Sequence, residues 1–356
     1  MNHPFTSALH ETLLRVAGWL PDDALASARS ILADDRCGAV AQLLAFEGRR
    51  TILPLTEDDL DALGALLEAE GLDPALLDSV EIAAENASIL WHFSAEWEEQ
   101  GETDEDEDAN HARLISALAE QDLLAAVADE PGIRALWSAV RRPVDGMPYP
   151  PARVIYVAEI DDDDDENSRE LAELTGQFQE KLIAAGESDP QVELVSIHSD
   201  RPDYQRAAQV GGKLLWSVNP DVEIKVARVF DEVDPEDGPK FAPDRPTIAD
   251  EDERERLIDY LESGTELLVT TATMDDVVDP ERGAVVPTSF RTDGTWVWTD
   301  TVTYYLHQHN LAPDPELLEH IRAVDGLPRR ADSVSLGRAL KALTPSADAQ
   351  PVWTSS

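Results

Sequence analysis

The stretch Gly283-Ala-Val-Val-Pro-Thr-Ser-Phe-Arg-Thr-Asp-Gly-Thr-Trp-Val-Trp298 reads as a β-hairpin that runs directly into a helix. Pro287 to Arg291 makes one strand and Thr295 to Trp298 the return strand. Asp293-Gly294 makes the tight turn, because glycine accepts the positive φ that such a turn demands. Thr299 or Asp300 then caps a helix carrying Val302, Tyr305 and Leu306. Phe290, Trp296, Trp298, Tyr304 and Tyr305 concentrate aromatic side chains here as nowhere else in the chain. Trp296 and Trp298 stand two apart on a strand and so face the same side. That side is either core or a binding surface, and an exposed pair beside Arg291 would make a hot-spot cluster. Arg291, Asp293, Trp296, Trp298 and Tyr304 are therefore the candidate binding residues.

Outward from the hairpin, three helices finish the chain, near 301–309, 315–323 and 335–343. Asp314 caps the second, with Pro315 in its first turn. Upstream, Arg153 to Ile160, Val192 to His198, Lys213 to Val218, Val222 to Phe230 and Thr265 to Thr273 read as strands. Amphipathic helices fall between them at Glu166 to Ala185, Asp203 to Val210 and Glu251 to Glu262. Strand, helix, strand, helix, strand predicts an α/β domain over 148–356 whose sheet is parallel at its start and hairpin-like later, hence mixed. Residues 1–147 read as helical throughout, including one long helix over Ser79 to Glu99 and another from Pro131 to Arg141. The run at 98–109 carries eight acidic residues in twelve and predicts an exposed, mobile loop. The proline-rich segment Arg142 to Pro151 reads as the linker. The expected fold class is thus mixed α+β: an all-helical N-terminal domain, then an α/β domain with a C-terminal hairpin and terminal helices.

A length of 356 residues suffices for two domains with sizeable cores. The net charge of −45 argues against nucleic-acid backbones and anionic membranes, whose recognition relies on cationic side chains. It favours a basic protein partner, or a saline solvent that rewards acidity. The single cysteine, Cys37, allows no intrachain disulfide and no multi-cysteine zinc site, which fits a reducing cytoplasm. No signal peptide is expected at the N-terminus, and no apolar run approaches the roughly 18 residues of a membrane span.

Catalytic patterns are sparse. There is no Gly-x-Ser-x-Gly and no phosphate-binding glycine loop. Asp161 to Asp165 lies between a strand end and a helix start. Asp161, Asp163 and Asp165 are the candidate ligands for a divalent cation, although no glycine supplies the bend of an EF-hand loop. The plainer reading is a solvated loop that favours the helix N-terminus. His307 and His309 are two apart on a helix and point in different directions, so they do not chelate. Cys37 reads as a buried structural thiol. No cofactor is expected.

Val285-Val-Pro-Thr-Ser-Phe-Arg-Thr-Asp-Gly-Thr-Trp-Val-Trp-Thr-Asp-Thr-Val-Thr-Tyr-Tyr-Leu306, followed by His309-Asn-Leu-Ala-Pro-Asp-Pro-Glu-Leu317, resembles a pattern at the C-termini of an uncharacterised actinobacterial family. Some of its members are similar to immunity-like proteins of polymorphic toxin systems. The resemblance implies an immunity-type protein and assigns no catalytic residue; together with the acidic charge and the single cysteine, the expected function is a non-enzymatic cytoplasmic inhibitor of a basic toxin domain. A metal-dependent enzyme with its site at the strand ends near Asp161 to Asp165 and His198 is the alternative. A structural or assembly protein is the third reading.

Overall fold

The computed structural model describes residues 5–83, 90–97, 107–144, 151–162, 168–219, 222–234, 238–324, 326–328 and 330–343. Asp163, Asp165, most of the acidic run at 98–109 and the tail from 344 lie outside them. The chain forms two compact units, Met1–Pro220 and Asp221–Ser356. The boundary expected at 147 falls inside the first unit instead, between two strands that pair with each other.

The first unit opens with helices α1 (Thr6–Arg15), α2 (Asp22–Ala33), α3 (Cys37–Gly48) and α4 (Glu57–Ala69). Their leucines and alanines recur at helical spacing and bury together. A reciprocal capping box starts α4: the Thr56 hydroxyl accepts from the Asp59 amide, and the Asp59 carboxylate accepts from the Thr56 amide. Strand β1 (Trp91–Ser94), helix α5 (Glu107–Asp129) and strands β2 (Ile133–Pro143) and β3 (Arg153–Ile160) follow. Helix α6 (Ser168–Ala184), β4 (Gln191–Ser196), α7 (Asp203–Gly211) and β5 (Lys213–Ser217) complete the unit.

Two expected helices are strands here. Trp91 to Ser94 lies in the sheet, and so does Ile133-Arg-Ala-Leu-Trp-Ser-Ala-Val-Arg-Arg142. The first half of the chain is therefore not all-helical. The alanines and leucine of β2 favour a helix in isolation, but β2 is the central strand, paired along both edges and covered on both faces. Burial on both faces removes the alternation that marks a strand in sequence.

Strand β2 runs antiparallel to β3, from Ile133 opposite Ile160 to Arg141 opposite Arg153. Strand β3 runs parallel to β4, with α6 as the crossover. The other edge of β2 is shared. Strand β1 covers Val140 to Pro143, and β5 covers Ala135 to Ser138. At the junction, a Cβ on Gly211 would sit 2.5 Å from the Phe93 carbonyl oxygen, and one on Gly212 would sit 2.4 Å from that of Ser138. Only glycine lets α7 end so close to the sheet. One face of the sheet packs Ile155, Val157 and Val195 against the N-terminal helices. The other packs Tyr156, Ala158, Val192 and Leu194 with residues of α5 and α6.

The second unit contains short strands β6 (Lys225–Val226), β7 (Glu232–Asp234) and β8 (Gly238–Lys240), then α8 (Glu251–Ser263). Strands β9 (Thr265–Leu268), β10 (Thr273–Asp275), β11 (Ala284–Pro287), β12 (Phe290–Thr292) and β13 (Trp296–Thr299) come next. Helices α9 (Asp300–His309), α10 (Pro315–Ala323) and α11 (Ser333–Leu343) end it. The sheet order is β6-β13-β12-β9, with β10 and β11 paired separately as antiparallel partners. The expected hairpin is β12–β13, turned at Gly294 with φ +91°. Asp314 caps α10 by accepting from the Glu316 amide, 2.9 Å. A mixed α+β class describes the whole chain. No helix among the described residues is long and apolar enough to cross a membrane.

Candidate functional site

The hairpin residues come together, but around internal partners. Trp298 is fully buried, and its indole N–H donates to the Leu261 carbonyl at 3.1 Å. A Cβ on Gly264 would lie 2.4 Å from the indole ring, so glycine there makes room for it. Trp296 is 6% exposed and packs in the same core with Leu257, Val302 and Leu306. Both indoles are core. Arg291 donates from Nε to Asp300 at 2.7 Å and from Nη1 to the carbonyls of Glu262 and Gly264 at 3.0 and 3.2 Å. It ties the end of α8 to the start of α9.

Asp293 and Asp276 are hubs. One oxygen of Asp293 accepts from the amides of Thr295 and Trp296, both at 2.8 Å, which closes the turn. The other accepts from the Tyr260 hydroxyl at 2.8 Å and meets His320 Nε2 at 2.6 Å. Burial alone would raise its pKa; the turn amides and the Tyr260 hydroxyl outweigh that and hold it below the usual range. Asp276 is arranged in the same way. Its Oδ1 accepts from the amides of Val278 and Asp279, at 2.9 and 3.1 Å. Its Oδ2 accepts from the Tyr304 hydroxyl at 3.0 Å and meets His309 Nε2 at 2.7 Å. His309 therefore points at Asp276, whereas His307 Nδ1 faces Gln308, as their spacing implies. A carboxylate beside a histidine is the geometry that orients a general base. Here each carboxylate is also occupied by turn amides and a tyrosine, which makes it an organiser of loops. The sequence signal missed was the Asx-turn spacing in Asp276-Val-Val-Asp279 and Asp293-Gly-Thr-Trp296.

At the strand ends of the first unit, His198 Nε2 lies 3.0 Å from Asp161, and the Ser196 hydroxyl donates to Asp162. Among the described residues, no group of three histidine, cysteine or acidic side chains could hold a metal ion. A cleft of about 420 Å³ lies elsewhere, between α8 and α10 in the second unit. There Arg322 is already bonded to Glu253, at 2.6 and 2.9 Å. Cys37 is buried, and burial pushes its thiol pKa up, as befits an inert side chain.

A polar layer lies under the first unit's sheet, on the face toward the N-terminal helices. Arg29 of α2 donates to Glu193 of β4 at 2.6 Å, and the Gln205 amide donates to the same oxygen at 2.9 Å. Arg141 of β2 makes a two-pronged pair with Asp22, 2.8 and 2.7 Å, and also donates to Tyr204. Glu159 pairs with Arg201 at 2.5 Å and accepts from Gln209. These charges sit inside buried strand runs, as in Ala158-Glu-Ile160 and Val192-Glu-Leu194, a signal that the sequence reading passed over.

His10 of α1 belongs to this layer. Its Nε2 lies 2.9 Å from the Leu194 carbonyl, which only accepts, so Nε2 carries the proton. Burial lowers its pKa from 6.5 to about 4, with Arg29 adding to the shift and Asp162 opposing it. The unfolded chain therefore takes up a proton first as the pH falls. Stability is complete above about pH 6.5 and is lost toward pH 4, by about 3 kcal/mol from this residue. His10→Gln, which keeps the donor without the charge, is expected to flatten that slope. Urea midpoints from pH 7 to 4 that fall equally in both proteins would assign the slope elsewhere.

Comparison of the chain with protein-family models, with curated proteins and with solved structures finds no match.

Proposed function

We propose that this chain is a non-enzymatic binding protein that engages a basic protein, most concretely as an immunity-type inhibitor of a toxin domain in the cytoplasm. One observation carries the reading: polar groups of the candidate sites are spent on internal bonds, while a set of carboxylates on two helices faces outward without an ion pair among the described residues. On α8, Asp252, Glu255, Asp259 and Glu262 are all exposed and follow one another at spacings of three, four and three, a single helical stripe. On α4, Glu57, Asp58, Asp61 and Glu68 are exposed as well. None of these eight side chains forms an ion pair among the described residues. Surfaces of this kind steer a cationic partner and speed its encounter, and they can fill a groove shaped for phosphates.

The test is capture from the native host at low and high salt, with the partner identified and then expressed alone and together with this chain. The partner should be basic, should arrest growth alone, and should be neutralised on co-expression. Reversing the α8 stripe to lysine is expected to slow association roughly 10- to 100-fold at low salt. A partner held equally at high salt, or growth arrest that co-expression does not relieve, would count against the reading.

A further inference from the structure

We propose that the free edge of the β9–β10 arm receives an extended, cationic strand of the protein partner by strand addition. The inference rests on the reading of the chain as a binder of a basic protein, and it states where and how that partner is held.

Leu267-Leu-Val-Thr-Thr-Ala-Thr-Met274 is a run without a single charge in a chain that is 28% charged. Leu268 is 46% exposed and Val269 71%, and Thr270 to Thr273 are exposed as well. The arm is closed on its inner side. Leu268 pairs with Phe290, and Thr273 with Pro287. Between them the Ser289 hydroxyl accepts from the Thr270 amide at 3.1 Å and donates to the Thr270 carbonyl at 3.2 Å. The Thr288 hydroxyl donates to the Ala272 carbonyl at 2.9 Å. Thr270 thus turns its N–H and C=O inward and Ala272 its C=O, while the Ala272 N–H donates to the Thr270 hydroxyl at 3.1 Å. Successive residues of an extended chain face opposite edges, so Val269 and Thr271 turn theirs outward. Neither makes a hydrogen bond among the described residues. Outward N–H and C=O groups two residues apart are the repeat that an added strand reads.

Edges of this kind are normally protected by lysine or proline, and 267–274 contains neither. The flanks select the occupant. Glu262 and Glu266 precede the run and Asp275 follows it, all exposed. Arg291 pairs with Glu266 at 3.5 Å and is otherwise committed to Asp300 and to two backbone carbonyls, so Glu262 and Asp275, which form no ion pair among the described residues, carry the open negative charge. The acidic stripe of α8 leads directly into this edge. A second copy of the chain would bring a net −45 against −45, so a cationic strand fits and a self-pair does not.

The probe is a blocked peptide of alternating lysine and valine, compared with the same peptide N-methylated on every second amide. The charge is equal, but the methylated peptide cannot pair. With the full-length protein, the parent peptide should bind roughly tenfold tighter than the methylated one, and amide exchange should slow at Val269 and Thr271. Thr271→Pro removes an outward N–H and no internal bond. It should reduce parent binding to the level of the methylated peptide without lowering the melting temperature. Where that variant fails to fold, the peptide pair on the wild-type protein decides. Equal binding of both peptides would overturn the edge while leaving the basic-partner reading standing, because the acidic surface would then attract without strand addition. Binding of neither peptide would overturn it, as would a concentration-dependent dimer abolished by Thr271→Pro. Salt-insensitive capture of the host partner is the separate result that counts against the broader reading.

Discussion

Arg29→Met should lower the unfolding free energy of the first unit by about 3–5 kcal/mol. Arg29 and Glu193 are 3% and 0% exposed, and the guanidinium is the cation that Glu193 bonds. Methionine keeps most of the length of arginine and removes the charge. The Glu193 carboxylate would then stay buried with one Gln205 amide for compensation, and its other oxygen already lacks a partner. Replacing both members, as Arg29→Met with Glu193→Leu, should recover most of the loss, because the desolvation of two charges disappears together. Urea unfolding followed by circular dichroism measures each step. A single variant within about 1 kcal/mol of wild type would mean that water reaches the pair.

Trp298→Ala should cost the second unit about 3–5 kcal/mol, the range for deleting a fully buried aromatic ring. The cavity would open beside Gly264, whose missing side chain exists to admit the indole, and the Leu261 carbonyl would lose its donor. Trp298→Phe should fall between, since it keeps a ring but leaves that carbonyl bare. Thermal unfolding and amide exchange in α8, β13 and α9 provide the readout. Near-normal stability with lost partner binding would reverse the assignment and make the indole a recognition surface.

What was legible in the second unit is local, whereas the strands β7, β8, β10 and β11 and the shortness of β6 were not foreseen. Asp293-Gly294 fixes a turn, Asp314-Pro315 starts a helix, and both sit where their chemistry puts them. In the first unit, β3 was readable from Val154-Ile-Tyr-Val157, a β-branched and aromatic run. Its partner β2 was not, because Ala135-Leu136 and Ala139 suit a helix until neighbours occupy both faces and both edges. The candidate site fared in the same way. Asp293, Arg291 and Tyr304 stood out by residue type. What two of them bond, Asp276 for Tyr304 and both Tyr260 and His320 for Asp293, depends on returns of 27 to 33 residues that spacing does not encode.

The divided edge of β2 sets an order on synthesis. As the chain leaves the ribosome, β1 can close Val140 to Pro143 soon after β2 appears. Ala135 to Ser138 must wait until β3, α6, β4 and α7 have all emerged and Gly211-Gly212 has brought β5 alongside. A nascent chain stalled before Lys213 would display half an open strand edge on an otherwise assembled sheet, the form of intermediate that invites chaperones or a neighbouring polysome's chain. Codon pace through 161–212 is thus a physical variable for this protein, because it fixes how long that edge stays uncovered.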